Sequence, residues 1–267
     1  IKGKQLLNID SEDAGVFTVG CAGGEEACIR LPFPTSDSLP GYSALKLVGG
    51  GMSGGHSGID IIEERANAIK LLFRAIHELT KKTDVRIASV SGGTARNAIP
   101  RDAEAILLVP ASDTDAAIAC IEQLESKLKS EYRKTDPNLS FTLLTENGEF
   151  NAASAASTRA AIDTVFVYPD GITAMSKDIA GLVETSNNLA TVKLEDGKLV
   201  ILSNQRSSNM DSLGLLCQRI LSVANLAGAE GETNGGYPSW QPNMDSQLLA
   251  RGGEVYGKRF GKRQGVE

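Results

Sequence analysis

The sequence predicts an α+β fold, an α/β sandwich whose antiparallel sheet carries helices on one face. Three observations predict it. Stretches with apolar residues three and four apart alternate with short runs rich in Val, Ile, Leu and Ala, so helices and strands share the chain. Residues 44–144 read in the order β-α-β-β-α-β, the ferredoxin-like unit. Residues 152–233 then read α-β-β-α-β, a second similar set without visible sequence identity to the first.

The elements follow in order. Gln5, Leu6, Leu7, Asn8 and Ile9 lead into Asp10, which suits a buried strand with a carboxylate at its C-terminal end. Residues 16–20 and 27–31 suit two short strands, and Pro32, Pro34, Pro40 and Gly41 break the chain after them. Residues 44–48 alternate as a strand, and a glycine-rich connection around His56 follows. Ile62, Ala66, Ile69, Phe73 and Ile76 place one apolar face on a helix over 61–80. Strands at 85–90 and 103–109, a helix over 113–132 and a strand at 139–144 complete the first unit. A helix over 152–167 opens the second set. Strands at 189–194 and 198–202 form a hairpin across Asp196 and Gly197, a pair that tight turns favour. A helix over 210–226 and a short strand at 229–233 follow. Gly235, Gly236, Pro238 and Pro242 break the pattern before a last helix over 245–259.

Apolar residues make up 41% of the 267 and charged residues 22%, ordinary globular usage that excludes disorder as the main state. A net charge of -6 without a basic stripe argues against a nucleic-acid partner. No apolar run reaches the roughly 18 residues of a membrane span and no secretory signal is visible, so no membrane partner and a cytoplasmic location are expected. Cys21, Cys28, Cys120 and Cys217 form no C-x-x-C pair, which argues for reduced thiols and against a structural zinc site or a disulfide framework. The chain starts at Ile1 and ends without a closing element, as a piece of a longer protein would.

Four residues carry candidate chemistry. His56 lies in Gly54-Gly55-His56-Ser57-Gly58, where glycine lets backbone and ligand approach closely. An imidazole held there can donate to a developing oxyanion; a surface turn with an incidental histidine is the open alternative. Asn97, in a turn ending at Pro100, can donate its amide to an anionic oxygen or simply occupy a hairpin turn. Arg206, after a strand, can grip a carboxylate through two parallel hydrogen bonds or stand as an ordinary surface arginine. Asp10, with Glu12 and Asp13, forms an acidic group at a strand end, where a metal ligand can stand. A catalytic zinc takes three protein ligands, usually including histidine, and His56 and His77 do not supply them; His77 reads as a solvated helix residue. The sequence has no G-x-S-x-G, P-loop, G-x-G-x-x-G or H-E-x-x-H motif.

Five stretches resemble one family when taken in order. They are Leu7-Asn8-Ile9-Asp10-Ser11-Glu12-Asp13-Ala14-Gly15 with Gly20-Cys21-Ala22-Gly23-Gly24, then Gly54-Gly55-His56-Ser57-Gly58-Ile59-Asp60-Ile61, then Gly92-Gly93-Thr94-Ala95-Arg96-Asn97-Ala98-Ile99-Pro100-Arg101, then Tyr237-Pro238-Ser239-Trp240-Gln241-Pro242. Each alone is weak; the ordered set, spanning almost the whole chain, resembles the aminoacyl-histidine dipeptidases, two-zinc exopeptidases. The resemblance implies a catalytic α/β domain with an inserted lid that also makes the homodimer contact. It implies that Asp10 ligates metal, that His56 reaches the partner subunit's active site and polarises the scissile carbonyl, and that Asn97 lines the substrate site. Arg206 would bind the dipeptide's C-terminal carboxylate, although the family usually shows Arg-Ser-Leu where this chain has Arg206-Ser207-Ser208. The family's other metal ligands fall before Ile1 and after Glu267, so this chain alone is expected neither to hold the two zinc ions nor to turn over. The implied division is 1–24 and 236–267 as segments of the catalytic domain and 25–235 as the lid and dimerisation domain. A non-catalytic oligomerisation module that pairs sheet edges is the competing reading. An amino-acid-binding regulatory domain rests on fold analogy alone.

Overall fold

The computed structural model describes residues 5–9 and 14–266. Its main strands are β1 (Gly23–Pro32), β2 (Tyr42–Gly50), β3 (Arg86–Gly92), β4 (Ala103–Pro110), β5 (Ser140–Thr145), β6 (Gly171–Met175), β7 (Val183–Glu195), β8 (Lys198–Ser207) and β9 (Glu230–Tyr237). The helices are α1 (Ala68–Thr80), α2 (Thr114–Glu131), α3 (Ala155–Val167), α4 (Met210–Leu226) and α5 (Gln247–Phe260). The nine strands make one sheet in the order β9-β1-β8-β7-β3-β4-β2-β5, with β6 beside the N-terminal half of β7. Every neighbouring pair is antiparallel.

This order resolves into two ferredoxin-like units. The first is β2-α1-β3-β4-α2-β5, with sheet order β3-β4-β2-β5. The second is β1-α3-β7-β8-α4-β9, with the equivalent order β7-β8-β1-β9. Its opening strand comes from upstream of the entire first unit. β1 inserts beside β8 over its full length, from Lys198↔Pro32 to Ser207↔Gly23. The α-β-β-α-β set expected from 152–233 therefore gains its missing first strand from residues expected to form only a short strand at 27–31. The two units join through their second strands, at Val192↔Gly92 and Lys193↔Ser91.

Helices α2, α1, α3 and α4 contact one another in that order. They share one core, in which Leu45, Ile69, Leu72, Phe73, Ile76 and Leu107 of the first unit meet Ile162, Leu189, Ile201 and Ile220 of the second. Such burial of aliphatic and aromatic side chains is the main drive for the fold. Lys70 ties the units further. Its Nζ donates to the carbonyl oxygens of Val165 (2.7 Å), Phe166 (3.1 Å) and Tyr168 (2.9 Å), closing the C-terminus of α3, whose carbonyls lack helical donors. Burial holds this ammonium below its ordinary pKa, against the opposing pull of Asp170. A smaller apolar cluster of Ala44, Ala88, Leu108 and Ala152 is covered by Leu39 and Phe150.

Several local expectations need correction. The helix expected over 61–80 starts at Ala68, because Asn67 Oδ1 accepts from the backbone N–H of Ile69 (3.0 Å) and Lys70 (3.4 Å). Residues Asp60–Glu63 form a 3-10 turn instead, ended by Glu64 at φ 50°. The helix expected over 152–167 starts at Ala155, capped by Ser154 Oγ on Ser157 N (3.1 Å). Strands β7 and β8 outrun their apolar runs, since the ladder continues through buried Asn187, Asn188, Ser203 and Gln205. These polar residues bond to one another and to the chain: Gln205 Nε2 to Asn187 Oδ1 (2.8 Å), Tyr168 Oη with Ser203 Oγ (2.7 Å). The hairpin turn is as expected, with Asp196 and Gly197 at φ 49° and 70°. Residues 5–9, expected as a buried strand, form none, and Leu6, Leu7 and Ile9 stand exposed. His77 is half-buried rather than solvated: its ring lies 4.9 Å from that of Phe166, and its Nδ1 is buried without a hydrogen bond.

The flanking segments pair with each other. Val16–Phe17 runs parallel to Gly265–Val266, Cys21 and Trp240 exchange backbone hydrogen bonds of 2.9 Å, and Phe17 meets Tyr256 of α5 edge to face. α5 itself buries no residue. Among the described helices none is long and apolar enough to cross a membrane.

Candidate functional site

The His56 loop is built by glycine backbone and closed by a charge pair. Gly55 and His56 pair with Ile99 and Ala98, and Ser57 N donates to Asn97 O at 2.9 Å, so the histidine and asparagine turns form one small ribbon. Gly55 sits at φ 140°, and a Cβ there would stand 2.6 Å from both Arg65 Nη1 and Asp60 Oδ2. Asp60 Oδ2 accepts from His56 N (2.7 Å), its Oδ1 lies 3.3 Å from Arg65 Nη2, and Arg65 Nη1 donates to Gly54 O (2.6 Å). The imidazole Nδ1 faces the backbone N–H of Gly58 (3.3 Å) and Ile59 (3.2 Å).

This ribbon belongs to the first unit but is pinned to the second. Asn188 of β7 donates from Nδ2 to Ala98 O at 2.8 Å. Arg206 of β8 comes up beside the loop. A Cβ on Gly58 would stand 3.1 Å from Arg206 Nη1 and 3.2 Å from His56 Cε1, so both side chains flank the same glycine. Asn204 Oδ1 accepts from Arg206 Nε at 3.0 Å and fixes the plane of the guanidinium. Asn97 joins the pair through its backbone; its exposed side chain lines a groove of about 510 Å³ with Glu26, Arg96, Lys193 and Leu202. Behind the ribbon lies a smaller cavity of about 190 Å³ lined by Arg65, Asn67, Asp170 and Asn188. Burial pushes the Asp170 carboxyl up to about 6, although Leu189 N (2.8 Å) and Asn67 Nδ2 (3.2 Å) both donate to it.

The structure thus brings His56 and Arg206 together within one chain and sets Asn97 next to them. Asp10 lies outside the described residues. Among the described residues no three His, Cys, Asp or Glu side chains stand close enough to hold a metal ion, so they do not fit a zinc centre by themselves. The four cysteines are free, and burial raises Cys28 and, with Glu25 nearby, pushes Cys217 up to about 12, which makes both poor thiolates. Sequence reading missed Asp60, Arg65, Asn188 and Asn204. Asp60 had a local signal, a carboxylate just past a glycine turn and able to accept backbone N–H groups. The others act through tertiary contacts that leave no local trace.

Residues 50–136, most of the first unit with His56 and Asn97, match the peptidase dimerisation domain family. The fold and the site therefore define the class: a peptidase-type dimerisation domain, here followed by a second unit of the same topology. The cytosol non-specific dipeptidase of Escherichia coli strain K12 is 32% identical over 262 residues, covering 98% of this chain and 54% of that protein. The crystal structure of aminoacylhistidine dipeptidase from Vibrio alginolyticus superposes with a TM-score of 0.96 at 32% identity, covering 100% of this chain and 55% of that one. The chain is similar to these dipeptidases over nearly its whole length, and it spans about half the length of these relatives.

Proposed function

We propose that this chain is the lid and dimerisation part of a cytoplasmic, zinc-dependent exopeptidase that hydrolyses dipeptides such as aminoacyl-histidine. The observation that carries the reading is the meeting of His56 and Arg206 around Gly58. A hydrogen-bond donor and a guanidinium at one loop suit the two oxygens a dipeptide must present: the scissile carbonyl and the terminal carboxylate. Arg206, held by Asn204, takes the carboxylate. His56 donates to the carbonyl oxygen as negative charge develops on it. Asn97 lines the substrate's path from the groove side.

Zinc in the longer protein would supply a metal-activated water. Its ligands, Asp10 among them, would come from outside the described residues. The family resemblance implied that the histidine serves a partner's site. The placement of His56 and Arg206 around one glycine of one chain supports both side chains acting in the same site, whichever subunit's metal centre they face. The pairing of residues 16–17 with 265–266, apart from the main core, supports reading 1–24 and 236–267 as segments of the catalytic domain and 25–235 as the lid.

Two measurements test this. In the longer enzyme Arg206→Ala is expected to raise KM roughly tenfold for a free dipeptide and to leave that of its C-terminal amide unchanged. Equal effects on acid and amide would remove the carboxylate role. The proposed homodimer is read by light scattering of this chain at about 100 μM, which spans weak-dimer affinities; a strictly monomeric mass there counts against dimerisation through the lid.

A further inference from the structure

We propose that Asp60 and Arg65 are positioning residues that lock the His56 imidazole in its Nε2–H tautomer and turn that proton away from the loop. The inference rests on the oxyanion role given to His56, but the lock itself can be observed without it. Residues 56–59 curl so that the N–H groups of Gly58 and Ile59 both point at Nδ1, at 3.3 and 3.2 Å. Two donors can meet only a lone pair, so Nδ1 carries no proton, and the proton of the neutral ring sits on Nε2. With Nδ1 held by the loop, Nε2 is the ring nitrogen left to donate to a substrate.

The curl is held from both ends by one ion pair. Asp60 takes the N–H of His56 at 2.7 Å, and Arg65 takes the carbonyl of Gly54 at 2.6 Å, while the two side chains meet at 3.3 Å. Both are only about a quarter to a third exposed, 27% for Arg65 and 30% for Asp60, so the pair is a fixed fitting of the loop rather than a solvated surface contact. The absence of a side chain on Gly55 is part of the same device, since a Cβ there would meet both members of the pair. Without the clamp the ring is free to rotate and exchange tautomers, and the donor faces the substrate only part of the time. With it the donor is oriented before substrate arrives, the condition under which such a hydrogen bond contributes most to rate.

His56 and His77 are the only histidines, so ¹⁵N-histidine labelling of this chain gives two resolvable rings. Long-range ¹H–¹⁵N correlation at about pH 8, above the ordinary imidazole value of about 6.5, reads the tautomer directly. The expected result is a single Nε2–H form for His56 with Nδ1 shifted as a hydrogen-bond acceptor. Asp60→Ala is expected to move both His56 nitrogens toward the averaged values of a free histidine and to leave His77, on α1, unmoved as the control for folding. Asp60→Asn, whose amide oxygen can still accept from His56 N, is expected to stay close to wild type. An Nδ1–H tautomer in the wild type overturns the proposal, as do unmoved His56 nitrogens in Asp60→Ala. In the longer enzyme Asp60→Ala is expected to lower kcat on the order of 10–100-fold, the cost of a misaligned group, with KM within about twofold. A lock confirmed by NMR together with unchanged kcat supports the clamp and overturns the oxyanion role of His56 instead.

Discussion

Replacing His56 by alanine in the longer enzyme is expected to lower kcat roughly 10²–10³-fold and to leave KM near the wild-type value. The reason is timing. The carbonyl oxygen of a bound dipeptide is a modest acceptor, and it becomes a strong one only as the carbon turns tetrahedral. A donor aimed at that oxygen therefore stabilises the transition state more than the bound substrate, and its loss appears in kcat. Arg206 makes the opposite case, because a terminal carboxylate carries the same charge before and during reaction. A mixing experiment then tests whether His56 and Arg206 of one chain serve the same site. His56 and Arg206 flank the same glycine of the same chain. Subunits carrying His56→Ala mixed with subunits carrying Arg206→Ala should thus recover no activity. In a symmetric dimer with shared sites, random exchange would restore about a quarter of the wild-type sites, since each mixed dimer holds one intact pair. Recovery on that scale would place His56 and Arg206 of one chain in different sites. Unchanged turnover in the single His56→Ala variant would remove the histidine from the chemistry altogether.

The units of the fold were legible where the pattern is local. The helix faces of α1 and α4 repeat at three and four residues, and Asp196-Gly197 announces its own hairpin. What escaped was non-local. Nothing within Gly23–Pro32 says that it will insert between β8 and β9, on the far side of an entire unit in sequence. Nor does an apolar count follow β7 and β8 into Asn187, Asn188 and Gln205, which are buried because they bond to each other and to the chain rather than because they shun water. The candidate site divides in the same way. His56, Asn97 and Arg206 stand in recognisable runs, but their adjacency depends on two strands, β3 and β7, pairing between the units. That pairing also bears on the competing reading of the chain as an edge-pairing module. β7 takes the end of the β3 edge at Ser91 and Gly92, and β5, β6 and β9 each have a single neighbour among the main strands described, so strand addition from another copy would use those outer strands.

Asp170 is expected to give the largest pH effect on stability. It lines the small cavity beside the junction of the two units, and burial raises its carboxyl from an ordinary 3.8 to about 6, outweighing the hydrogen bond from Leu189, the charge of Lys70 and the hydrogen bond from Asn67. A carboxyl whose pKa is higher in the folded state binds its proton more tightly there than in the unfolded chain. Its contribution to stability is then fully present below the unfolded value and is lost as pH rises through the folded one. From about pH 4 to pH 7.5 this amounts to about 2–3 kcal/mol. Other carboxylates act in the opposite sense: Arg86 holds Asp84 below the usual range, so that group loses stabilising power as pH falls. The two trends overlap in the wild-type curve and are separated by Asp170→Asn, whose amide oxygen can still accept from Leu189 N and Asn67 Nδ2. Thermal unfolding of both proteins across this range should show the variant gaining on the wild type by about 5–10 °C, most of it between about pH 4 and pH 6. A difference in Tm that stays flat with pH would mean that Asp170 is solvated in solution, and that the cavity it shares with Asn67 and Asn188 is open to water deeply enough to carry the charge.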